Sequence, residues 1–195
     1  MTKFRIAILA SGNGTNAENI IRYFQNHGGI SVGLVLSNNP DASVLQRATG
    51  LNVRSSFFNR EQLGSGEVIK WLEQEKITHI VLAGFLWLVP AKLTDSFAGR
   101  MINIHPALLP RHGGKGMYGL KVHQAVLASG DKETGITIHE VNNKYDDGKI
   151  LHQARCAVSE SDTAELIAKR VHELEYKYYP TIIEKWILDT QASTA

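Results

Sequence analysis

The strongest constraint on this chain is a type of apolar run that it repeats. FRIAILA (Phe4 to Ala10), ISVGLVLS (Ile30 to Ser37), THIVLAGF (Thr78 to Phe85) and RMINI (Arg100 to Ile104) are nearly continuous and of strand length. A strand that is apolar at every position has no side to offer water, so it must be covered on both faces. The segments between them carry helical spacing. AENIIRYFQ sets Ile20, Ile21 and Phe24 on one side before a GG stop, SVLQRATG ends in Gly50, GEVIKWLEQEK (Gly66 to Lys76) is amphipathic, and LTDSFAGR is short. Strands and helices in alternation predict a doubly wound α/β arrangement over residues 1–105, a parallel sheet with helices on both faces.

Beyond that point the pattern changes. TGITIHEV (Thr134 to Val141) and KILHQARCAV (Lys149 to Val158) alternate more, with only NNKYDDG between them. This predicts an antiparallel extension of the sheet in the C-terminal half. SDTAELIAKRVHELEYKYYPTIIEKWIL reads as a closing helix, with Asp162 as N-cap and Glu165 as its capping-box partner. No repeat or linker interrupts the 195 residues, so one domain is expected. A domain of this size buries roughly 70% of its unfolded surface.

Charge and composition exclude several classes. With 21 Lys and Arg against 19 acids, the net +2 gives too weak a field for nucleic acid or anionic lipid. There is no signal-peptide pattern and no apolar run near the ~20 residues that span a bilayer, which leads us to expect a cytoplasmic protein with no membrane partner. Cys156 is the one cysteine, and no grouping of His, Cys and acids has metal-ligand spacing, so neither a disulfide nor a metal is expected.

Three stretches carry chemistry. SGNGTNA, after the first strand, places Gly12, Gly14 and Ala17 as GxGxxA, the context of a dinucleotide fingerprint. The acid that such a site needs near the end of the second strand is missing, since Ser37, Asn38 and Asn39 stand there. What remains is a glycine-lined helix start able to hold a phosphate monoester, with Thr15 and Asn16 as added donors. The competing reading is a plain tight turn. In NIHPALLP, Asn103 and His105 are two residues apart at a strand end and so share a face; otherwise they are a turn cap and a polar filler. NNKYDDGK (Asn142 to Lys149) offers two adjacent carboxylates, although Asp before Gly is ordinarily turn chemistry. Together the three supply a phosphate cradle, an amide, an imidazole, and a carboxylate able to raise that imidazole above its usual value of about 6.5. Those parts suit acyl transfer without a metal or covalent nucleophile.

The chain also resembles a known family. SGNGTN, VLAGFLWLVP (Val81 to Pro90), INIHPALLP and IHEVNNKYDDGKIL are similar, in this order, to the phosphoribosylglycinamide formyltransferase family, folate-dependent enzymes of purine biosynthesis. The resemblance runs from Ile6 to KYYPTIIEKW and implies the formyltransferase fold. It implies transfer of the formyl group of 10-formyltetrahydrofolate, the co-substrate, to the amine of glycinamide ribonucleotide. Asn103, His105 and Asp146 would be the catalytic set, with protonated His105 and Asn103 holding the oxyanion. Gly12, Gly14, Thr15, Asn16 and Glu175 would contact the ribonucleotide. Arg60, Leu86, Trp87, Leu88 and Val89, with Asn103 and Asp146, would contact folate. On this basis residues 1–105 form the nucleotide and phosphate half of the single domain and 106–195 the folate half. Trp87 departs from the Arg usual in the family, Glu140 from an apolar residue, and RHGGKGMYGLKVH is longer than the family's Pro-Gly connection. His123 and His139 are expected to be mainly structural.

The Asn, His and Asp arrangement is shared by methionyl-tRNA formyltransferase and formyltetrahydrofolate hydrolase, so the acceptor is the open question. The tRNA enzyme resembles a longer chain with an RNA-binding domain, and the hydrolase carries an extra N-terminal domain. Length therefore favours the ribonucleotide, with small-molecule substrates as the only partners. A dinucleotide-binding module is the more distant alternative.

Overall fold

The computed structural model describes residues 3–192. Seven strands form one sheet in the order β3-β2-β1-β4-β5-β6-β7: β1 (Phe4–Leu9), β2 (Ile30–Ser37), β3 (Ser55–Phe57), β4 (His79–Leu82), β5 (Met101–His105), β6 (Glu133–Glu140) and β7 (Ile150–Ala157). The first five are parallel; β6 runs antiparallel to β5, and β7 to β6. The helices are α1 (Thr15–Phe24), α2 (Ser43–Gly50), α3 (Arg60–Ser65), α4 (Glu67–Gln74), α5 (Ala91–Ser96), α6 (Leu120–Ala128) and α7 (Ala164–Ala192). This is the mostly parallel, doubly wound sheet with an antiparallel extension that the apolar runs predict.

Alternate residues of one strand serve two cores. Ile6, Ile8 and Ala10 pack with Ile20, Phe24 and the apolar side of α7, while Ala7 and Leu9 pack with Leu72, Leu93 and Phe97 on the other face. Both faces are dry, which is why the runs are continuous. Strand order reverses between β1 and β4, and ligands of open α/β sheets collect at such a switch point. Here the two strand ends are tied together. Ser11 N donates to the Gly84 carbonyl at 3.0 Å, and Leu86 N to Ser11 Oγ at 2.9 Å.

The elements that differ from the sequence reading are short or atypical. β3 has three residues and α3 six, too few to show a period. α6 lies inside the stretch read as a long loop, and β4 is shorter than the run Thr78 to Phe85. The closing helix is capped by Thr163 rather than Asp162: Leu166 N donates to Thr163 Oγ1 at 3.3 Å. Asp162 instead accepts from Ser159 N at 2.7 Å and pairs with Arg170, so the capping box predicted for Asp162 and Glu165 does not form. Pro180 sits inside α7 and cannot donate to the Tyr176 carbonyl. Asn19 of α1 does so at 3.0 Å, which locks the two helices together beside the strand ends.

Candidate active site

A cavity of about 480 Å³ opens at the C-terminal ends of β1, β4 and β5. Its walls are the glycine turn after β1, the segment after β4, the end of β5, the start of α6, the β6–β7 loop and one side of α7.

At one end, Gly14 precedes α1 with φ 76°, and no side chain caps the helix, so its first N–H groups face the cavity. A Cβ on Gly14 would stand 2.3 Å from Val44 Cγ2, so the turn closes only with glycine. Arg47 braces the outside of the turn by donating to the Asn13 carbonyl at 2.9 Å and pairing with Glu18. Gly12, Thr15, Asn16 and Glu175 all line this end. Asn16 Nδ2 donates to Glu175 Oε2 at 2.8 Å, so the α7 acid is a buttress of the turn.

Deeper in, β5 ends in Asn103 and His105 on one face, both at the cavity. His105 is buried, and its Nε2–H donates to the His112 carbonyl at 2.8 Å. That leaves Nδ1 free, 3.5 Å from Asp146 Oδ2. Asp146 reaches this point because the β6–β7 loop folds back over the sheet, where a Cβ on Gly148 would stand 1.7 Å from the Glu140 carbonyl oxygen. Asp146 itself adopts φ 51°, a left-handed conformation that Asp tolerates better than most residues. Gly114 N donates to its Oδ2 at 2.8 Å. His139 lies across from Asn103 in the β5–β6 pairing. Its Nδ1–H donates to the Glu140 carbonyl at 2.8 Å, so its bare Nε2 accepts from Asn103 Nδ2 at 3.2 Å. The same Nε2 is 3.6 Å from Asp146 Oδ1.

The electrostatics of the pair run against one expectation. Burial pushes His105 below the ordinary imidazole value, outweighing the opposing pull of Asp146 and the His112 carbonyl. The sequence reading has the carboxylate raise it; desolvation of a buried ring is the larger effect, and His105 is neutral at pH 7. Burial also works to raise Asp146, but His139, His105 and the Gly114 N–H outweigh it and hold the carboxyl below its usual range.

The outer wall is Leu86, Trp87, Leu88 and Val89, all lining the cavity. Arg60, at the start of α3, does not line it; its guanidinium stacks 4.2 Å from the Trp87 ring centre, on a side chain that itself faces the cavity. Glu140 faces a different depression near Arg100 and Lys149, so its departure from the family pattern does not touch this wall. The segment Gly113 to Gly119 contributes backbone contacts and cavity surface.

Several residues escape the sequence reading. His139 is found only through strand register. His123, on α6, is buried at the cavity with Nδ1 unpartnered. His172 is one helical turn before Glu175 and donates Nδ1–H to its Oε2 at 2.8 Å, an i, i+3 spacing that was open to inspection. Among the described residues no cluster has metal-ligand geometry, and no helix is long and apolar enough to cross a membrane.

This geometry recurs in known proteins. A sequence model of the formyl transferase family matches residues 4–183. The chloroplastic phosphoribosylglycinamide formyltransferase of Arabidopsis thaliana is 38% identical over 192 residues, covering 92% of this chain but only 64% of that protein. The phosphoribosylglycinamide formyltransferase of Bacillus subtilis is 37% identical over 191 residues, covering 95% of this chain and 94% of that one. The crystal structure of phosphoribosylglycinamide formyltransferase from Anaplasma phagocytophilum superposes with a TM-score of 0.85 at 30% identity, over 93% of this chain and 85% of that one. With its sheet, its switch-point cavity and a match across nearly its whole length, the chain belongs to the formyl transferase family.

Proposed function

We propose that this protein transfers the formyl group of 10-formyltetrahydrofolate to the primary amine of glycinamide ribonucleotide, a step of purine biosynthesis. One observation carries the reading: the Asn103 amide, the free nitrogen of His105 and the Asp146 carboxylate meet at one cavity whose other end is an uncapped helix N-terminus.

The amine attacks the formyl carbon directly, forming the new C–N bond as the carbonyl electrons move to oxygen. Asn103, oriented by its hydrogen bond to His139, turns its second Nδ2–H to that oxyanion. Neutral His105 takes the proton from the attacking nitrogen at Nδ1, because Nε2–H is committed to His112. Ionised Asp146 stabilises the imidazolium, which then protonates the folate nitrogen as its bond to the formyl carbon breaks. Gly12, Gly14, Thr15, Asn16 and Glu175 hold the ribonucleotide, and Leu86 to Val89 hold the pterin, with Arg60 acting through Trp87. Residues 1–195 act as one domain, each substrate bounded by both halves, in the cytoplasm and without a nucleic-acid partner.

The test offers 10-formyltetrahydrofolate with glycinamide ribonucleotide, water and aminoacylated tRNA as competing acceptors. Formylated ribonucleotide is the expected product. Formyl release without ribonucleotide marks a hydrolase, formylated tRNA another acceptor, and bound nicotinamide cofactor with no transfer a dinucleotide module.

A further inference from the structure

A phosphate monoester carries nearly two negative charges at neutral pH, and a helix N-terminus offers only about half a positive one. The cavity is poor in fixed cations. Among the described side chains that line it, Lys144 is the only lysine or arginine, and it belongs to the β6–β7 loop. Arg47, outside the glycine turn, is committed to Asn13 and Glu18. At the turn itself stands His172 of α7. Its Nδ1–H is held by Glu175 Oε2 at 2.8 Å, which turns Nε2 toward α1, 3.4 Å from Thr15 Oγ1. The Tyr176 ring packs against the imidazole with centres 4.3 Å apart and limits its rotation. Glu175 is tied in turn to Asn16, so acid, imidazole and turn form one unit.

We infer that His172, oriented by Glu175, is the cation of the phosphate subsite, and that its protonation makes capture of the phosphoribosyl substrate pH-dependent. The role takes the ribonucleotide reading above as given. The protonated ring keeps Nδ1–H on Glu175 and gives a charge-assisted Nε2–H to a phosphate oxygen seated on Gly14, Thr15 and Asn16. The groups facing the pair are few. Tyr176 comes from the same helix, and His123 of α6 and His105 of β5 both feel the Glu175 charge. From α1 come Thr15 and Asn16, which do not ionise, while Glu18 is neutralised by Arg22 and Arg47. The imidazolium is present below its pKa and lost above it, so affinity falls as pH rises from about 6.5 to 8.5. Below about pH 6 the phosphate itself begins to lose charge.

Calorimetric titration of the full chain with ribose 5-phosphate and with ribose, at pH 6.5 and 8.5, tests this. The unmodified protein should prefer the phosphorylated sugar and bind it about tenfold more weakly at the higher pH, the size of one charge-assisted contact. His172→Gln should bind it weakly at both values, and His172→Lys tightly at both. A His172→Gln variant that keeps the original affinity and pH dependence overturns the assignment, as does ribose 5-phosphate binding in the unmodified protein that ignores pH. Ribose 5-phosphate has no amine to formylate, so a phosphate preference that depends on His172 survives a failed transfer assay, which would count against the ribonucleotide reading alone.

Discussion

At the scale of single residues, the site works by giving each polar atom one partner and leaving one free. Asn103 has one N–H on His139 and one for the reaction, so Asn103→Ala should lower kcat by about 10² to 10³ while the protein stays folded, as steady-state kinetics and circular dichroism would show. Because neutral His105 is the working form, kcat/KM should fall as pH drops through its pKa, which burial places below the ordinary value. Asp146→Asn removes the charge that opposes burial, so the acid limb of the pH profile should move to still lower pH as turnover drops. Away from the cavity, His79 is buried against Phe4 and Trp186, and desolvation with Arg100 nearby lowers its pKa to about 4. Its folded-state pKa lies below the unfolded 6.5, so the unfolded chain takes up the proton first as pH falls, and stability is lost between about 6.5 and 4. Urea unfolding at pH 5 should show a deficit of about 2 kcal/mol relative to pH 7 from this group. A His79→Gln variant should lack that share of the deficit.

At the scale of elements, glycine and cap positions decide where the site's walls stand. Gly14→Ala places a Cβ against Val44 in a left-handed conformation and should cost about 2 kcal/mol or more, with weaker binding of phosphate ligands. Thr163→Ala should cost about 1 kcal/mol through loss of the α7 cap, whereas Asp162→Ala should spare that cap, a comparison that thermal melts can make. The long strands and α1 are legible in the sequence because burial on two faces writes an unbroken apolar run and a helix face writes a 3.6-residue period. β3 and α3 are too short to write either. α6 begins in a glycine-rich stretch, and its apolar residues face α7 in a pattern that the segment's composition obscures.

At the scale of the whole molecule, α7 joins the two halves. Tyr179, fully buried on this helix, donates its hydroxyl to the Leu82 carbonyl at 2.8 Å, at the strand end that leads into the cavity wall. Tyr179→Phe should cost about 1 kcal/mol and lower Tm by about 2–4 °C for a chain of this length. The same helix brings Glu175 and His172 to the glycine turn, more than 150 residues away in the chain. From the sequence alone came the two-faced sheet, the helix-start turn and the shared face of Asn103 and His105, because each depends on residues close together in the chain. The meeting of Asp146 with His105, the pairing of His139 with Asn103 and the direction of the His105 pKa depend on strand register, a loop that folds back and the exclusion of water. Those are contacts and desolvation that only the packed chain creates, and no local pattern records them.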